Sequence, residues 1–213
     1  MDELELLKQD WQKEKSNFPK HSAKDIYKMI HSKSSSIVKW IFIISLLEFA
    51  FWAIISFALK DAEYNQKFKE YHADAIMIPL MVVGYLILFY FFYKFYMNYK
   101  TISVTDSAKN LMETILKTRR TVKHYVVFNI TYLALSVFVV LGIQMKKDED
   151  MLAVIEQAAA NGELFKFYAM TILIALAVVI VIGGLFLLLY YFIYGILLKR
   201  LNRNYRELKK LEV

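Results

Sequence analysis

The sequence predicts an all-α polytopic membrane protein: a bundle of four transmembrane helices with amphipathic cytoplasmic helices and both termini in the cytoplasm. Three observations carry this prediction. Apolar residues make up 58% of the 213, and they fall in four long blocks rather than at the helical or strand periods of a soluble domain. The blocks, at 37–59, 76–98, 125–145 and 167–198, each reach the roughly 20 residues that one span needs. Lys and Arg are distributed unevenly between them, with nineteen in the two tails and the central segment and six in the other two segments.

Inside lipid the backbone must satisfy its own polar groups, so the blocks are helices rather than barrel strands. The positive-inside bias places the tail 1–36, the segment 99–124 and the tail 199–213 on the cytoplasmic side of a bacterial inner membrane. Net charge agrees, at +9 for those three segments and −3 for the two outer ones. Trp40, Tyr90, Tyr93, Tyr96, Tyr190, Tyr191 and Tyr194 sit at block ends, where an inner aromatic belt is expected. The overall charge of +7 is therefore a topology signal and an attraction to anionic lipid on the cytoplasmic face. It does not point to nucleic acid, because the basic residues flank spans and form no aromatic-interleaved groove. The first block is too long for the apolar region of a cleavable signal and has no small-residue cleavage site after it, so an uncleaved first span is expected.

The N-terminal segment opens "MDELELLKQDWQKEK", with Leu4, Leu7 and Trp11 at helical spacing and acidic residues at the start, where the helix dipole favours them. After a joint containing Pro19, the run Ser22-Ala23-Lys24-Asp25 has the form of a capping box opening a second helix with Ile26, Met29 and Ile30. "SKSSS" then leads into the membrane. Two short amphipathic helices cannot build a core alone. They either lie on the membrane or neighbouring segments, or dock on a cytoplasmic partner through Leu4, Leu7, Trp11, Phe18, Ile26 and Met29.

In the central segment, Ser103 and Asp106 read as another capped start, with Leu111, Met112, Ile115 and Leu116 as an apolar stripe on a helix running into the third span. At the outer side, 148–166 reads as a short amphipathic helix capped near Asp150 and stopped at Asn161-Gly162. The fourth block, at 32 residues, must tilt, break at Gly183-Gly184 or project beyond the lipid. It continues into a tail where Leu201, Tyr205, Leu208 and Leu211 form a short seam, expected to pack on neighbouring cytoplasmic helices.

No cysteine is present, so disulfides and thiolate chemistry are excluded. His21, His31, His72 and His124 have no ligand partner at i+3 or i+4, and each reads as solvated; no metal, cofactor or catalytic residue is expected. The one charged residue deep in an apolar block is Glu48, about 16 Å along its helix from the inner end. Ser45, Glu48, Trp52 and Ser56 share an arc of about 80° opposite Ile43, Leu47, Ala50 and Ile54, so the Glu48 side faces protein. Asn129, Tyr132 and Ser136 share an arc with Tyr125 on the third span, and a hydrogen bond from Glu48 to Tyr132 or Ser136 is the natural expectation. Lys94 is a poorer partner because it can snorkel to the surface. Without a second intramembrane acid or histidine, Glu48 reads as a bond between helices ahead of a ligand contact or an ion-coupling site.

The runs "MDELELLKQDWQK", "DIYKMIHSKSSSIVKWIFIIS" and "YGILLKRLNRNYRELKKLE" resemble a family of small four-span inner-membrane proteins of flavobacteria, often encoded beside an extracytoplasmic-function sigma factor. That resemblance implies an anti-sigma or regulatory role. Some members carry a carotene-monooxygenase label, which this sequence opposes: such enzymes hold iron through four converging histidines in a β-propeller, and the four here are divided among three segments. The expectation is a non-enzymatic membrane regulator binding a soluble partner, with an oligomer or larger membrane complex open. The alternative is a structural or accessory subunit of a transporter or secretion system acting through its spans.

Overall fold

The computed structural model describes Glu5 and residues 22–59, 70–105 and 107–211. Among the described residues the chain is all-helical: α1 (Ala23–Ala58), α2 (Asp74–Val104), α3 (Ala108–Lys147), α4 (Glu149–Ala160), α5 (Leu164–Tyr190), a π-helical turn (Tyr191–Gly195) and α6 (Ile196–Leu211). Four helices are long and apolar enough to cross a membrane: α1, α2, α3 and the continuous rod from α5 through α6. By length and composition this is a multi-pass membrane protein.

These helices run 36, 31, 40 and 47 residues. At 1.5 Å per residue they are about 45–70 Å long, against about 30 Å of hydrocarbon. All four overshoot, and their most polar extensions collect at the basic end. The start of α1, the end of α2, the start of α3 and α6 form a helical platform around Ile30, Val38, Ile102, Leu111, Ile115, Leu201 and Leu208. Outside lipid each such side chain contributes roughly 1.5–3 kcal/mol on burial, whereas between spans apolar contacts gain nothing over lipid tails. The tail seam packs as expected: Leu201 and Leu208 are buried in this core and Tyr205 is partly buried against it. The side chain of Leu211 lies outside the described residues.

The start of α1 is the capping box read from sequence. Ser22 Oγ accepts from the Asp25 amide at 3.1 Å, and the Ser22 amide donates to Asp25 Oδ2 at 3.2 Å. The helix then passes through "SKSSS" without a break, so residue 36 is no structural boundary. Ser34 there is fully buried, and its Oγ accepts from Asn204 Nδ2 of α6 at 3.0 Å.

Three readings need correction at this end. Residues 99–104 are the end of α2 and 108–124 the start of α3, rather than a loop followed by a helix. Ser103 belongs to the last turn of α2 and donates to the Lys100 carbonyl at 2.8 Å; Asp106 lies outside the described residues. His31 is part-buried rather than solvated. Its Nε2 donates to the Ile102 carbonyl at 2.6 Å, its ring lies 6.0 Å from that of Tyr27, and the Tyr27 hydroxyl donates to the Thr105 carbonyl at 3.4 Å. Side chains of α1 thus satisfy carbonyls that the end of α2 leaves open.

At the opposite end α4 is capped by Asp148, two residues before the expected cap, with Oδ1 accepting from the Met151 amide at 3.0 Å. Its stop falls where expected, with Gly162 at φ +72°, a conformation glycine adopts freely. The other oxygen, Oδ2, accepts from the Tyr71 hydroxyl at 2.6 Å. That hydrogen bond raises the Tyr71 phenol to about 12 from its ordinary 10. Because the folded value lies above the unfolded one, the contact stabilises fully below pH 10 and is lost as pH rises through 12. A phenolate absorbance titration should therefore show one ionisation near pH 12 that disappears in Tyr71→Phe; unchanged curves would refute the contact.

Candidate functional site

Where the four spans meet, three tyrosines converge on Glu48. Tyr125 of α3 donates to Oε2 at 2.9 Å, Tyr190 at the end of α5 donates to Oε1 at 2.5 Å, and Tyr194 in the π turn donates to Oε2 at 3.2 Å. The three hydroxyls donate and the two carboxyl oxygens of Glu48 accept. No cation pairs with Glu48 among the described residues. Tyr190 and Tyr194 stack at 5.7 Å between ring centroids, and Tyr125 meets both edge-on. The three rings belong to a dense apolar core with Ile41, Phe91, Phe95 and Val122.

The π turn bears on this geometry. A wide i→i+5 turn shifts the residues after it round the helix axis. Here it lies at Tyr191–Gly195, between the rod's apolar part and α6, while Gly183 and Gly184 continue α5 without interruption. The long fourth helix therefore does not break at those glycines.

Glu48 faces protein, as the arc indicates: Ser45 is fully buried, while Leu47 and Ile54 on the opposite face are 61% and 68% exposed. Its partners differ from the expected ones. Tyr132 donates to the Leu80 carbonyl of α2 at 3.1 Å, and Ser136 lines a cavity beside the clamp without reaching Glu48. Ser45 donates to the Phe42 carbonyl of its own helix at 2.8 Å. Asn129 Nδ2 is buried beside the Tyr125 and Tyr190 hydroxyls.

The mismatch is one of depth. Counting inward from each block's first residue pairs Glu48 with Tyr132 or Ser136. The true partner, Tyr125, is the first residue of the third block, and Tyr194 lies four residues from the end of the fourth. The clamp thus joins the middle of the first block to the basic ends of the third and fourth. Lys123 and His124 end the third block by composition, yet both are exposed while Val122 is already in the core. Tyr190 and Tyr194, four residues apart on one helical face, were the available signal, masked by their resemblance to belt tyrosines.

Next to the clamp lies a cavity of about 280 Å³, walled by Glu48, Trp52, Tyr85, Asn129, Tyr132 and Phe186 among others. At the platform, Ile26 is partly buried against the core and Met29 is 45% exposed. Leu4, Leu7, Trp11 and Phe18 lie outside the described residues. Among the described residues no group of three His, Asp or Glu side chains could hold a metal ion.

The model of a domain of unknown function, DUF8845, matches residues 24–213, which take in the platform, all four spans and the clamp. The chain belongs to the DUF8845 family. No curated protein and no solved structure matches it. In this DUF8845 chain the matched region leaves out Leu4, Leu7, Trp11 and Phe18, so the N-terminal amphipathic segment stands outside the family domain.

Proposed function

We propose that this DUF8845 protein is a non-enzymatic regulator of the bacterial inner membrane, with both termini in the cytoplasm, that holds a soluble protein on its basic side. The observation that carries the reading is the platform. Spanning helices continue without interruption into a basic bundle with its own buried core, while the opposite end carries, among the described residues, the twelve-residue α4. The N-terminal segment leads into that bundle, and its apolar residues at helical spacing suit a groove on a partner. Fixed side chains around Glu48 join α1, α3 and the fourth helix just below the platform, so a shift between spans would reach the docking face as a rigid displacement. An extracytoplasmic-function sigma factor is the partner class to which the sequence resemblance points.

Co-purification with the co-expressed sigma factor tests this. The full chain should retain it, and deletion of residues 1–21 or the combined Leu4→Ala, Leu7→Ala and Trp11→Ala change should reduce recovery at least tenfold, the effect of losing about 1.4 kcal/mol or more of binding. Recovery at the full-chain level after the deletion would show that the segment binds no such partner.

A further inference from the structure

A second recess lies at the basic end, with the clamp residues Tyr190 and Tyr194 in its wall. It is a groove of about 620 Å³ between α3 and the fourth helix at the level of the π turn. Arg119, Arg120 and Lys123 line its polar end, and Val126, Val127 and Leu187 line the part that runs toward the apolar blocks. No acidic side chain lines it, and these three cations make no ion pair among the described residues. Arg119 is positioned, with Nη1 donating to Asn202 Oδ1 of α6 at 3.0 Å, while Arg120 and Lys123 are exposed. Tyr191, 69% exposed, and Gly195, which has no side chain, form the opposite wall.

This order of chemistry, cations above and branched aliphatics below, matches a molecule with an anionic head and hydrocarbon tails. We propose that the groove is a binding site for an anionic phospholipid, with the phosphate on Arg119, Arg120 and Lys123 and an acyl chain along Val126, Val127 and Leu187. Guanidinium groups suit phosphate because their planar donors meet its oxygens in pairs. Basic pockets between spanning helices at a headgroup level recognise anionic lipid in this way. Three cations line this one recess beside apolar side chains, which separates a site from the general attraction of a basic surface. This inference is independent of the sigma-factor reading.

Native mass spectrometry of the full chain from mixed phosphatidylglycerol and phosphatidylcholine tests it. The wild type should retain phosphatidylglycerol preferentially. Arg120→Gln with Lys123→Gln should cut that retention roughly 30-fold, about fivefold per surface cation. Lys209→Gln with Lys210→Gln, an equal charge change at the far end of α6, should leave it nearly unchanged. Val127→Trp, which keeps every charge and fills the groove, should also displace the lipid, and it guards against a misfolded double variant. Equal losses in the two charge variants, or equal retention of both lipids by the wild type, would overturn the site. Displacement by millimolar inorganic phosphate would show that the groove reads phosphate alone and would overturn the lipid assignment.

Discussion

Glu48→Ala is expected to destabilise the bundle by about 2–5 kcal/mol, measured as unfolding free energy in a mild detergent. Three charge-assisted hydrogen bonds are worth about 1.5–3 kcal/mol each. Against them stands the cost of a charge in the bilayer, about 2.5–3.5 kcal/mol at the centre. The bonds win, and truncation leaves the hydroxyls of Tyr125, Tyr190 and Tyr194 without their shared acceptor. Glu48→Gln keeps an acceptor oxygen and removes the charge, so it should stay within about 1–2 kcal/mol of wild type. A more stable Ala variant would reverse the conclusion: the carboxylate would then be retained at the expense of stability, as a functional group rather than a bond between helices.

Gly84→Leu should cost about 2–4 kcal/mol in the same assay. A Cβ at position 84 would lie 2.7 Å from Cζ and from the hydroxyl oxygen of Tyr132, and 2.9 Å from its Cε2. Tyr132 can yield only toward the cavity it lines, which breaks its hydroxyl's bond to the Leu80 carbonyl and shifts its ring from Phe128. Overpacking contributes about 1–3 kcal/mol. Loss of the hydrogen bond contributes up to about 1.7 kcal/mol. Adding Tyr132→Ala should recover part of the loss, because the new leucine then occupies the vacated space. Additive costs in the double variant, with no coupling of about 0.5 kcal/mol or more, would show that the two residues do not compete for space.

Much of the helical pattern was legible from single residues. The capping box at Ser22 and Asp25 formed as written because its atoms are three residues apart, within the reach of one turn. The stop of α4 at Asn161-Gly162 is equally local. Where the reading failed, a distant segment decided the outcome. Ser103 did not open a helix, because Tyr27 and His31, more than seventy residues away, hold the end of α2 in place. Tyr132 did not find Glu48, because composition marks where a chain becomes apolar and does not mark how far one helix slides along its neighbour.

The sequence by itself determined that this chain has four spans, which face of the first carries Glu48, and which end collects the positive charge. Those properties follow from hydropathy, helical phase and charge counting, each a sum over neighbouring residues. Only the tertiary structure decided that Glu48 serves three tyrosines from two other helices, that the polar helix ends share one core, and that Tyr190 and Tyr194 reach the same carboxylate. Those depend on axial register and rotation between helices. Inside lipid these are set by close packing and a few hydrogen bonds, and apolar periodicity carries no record of them.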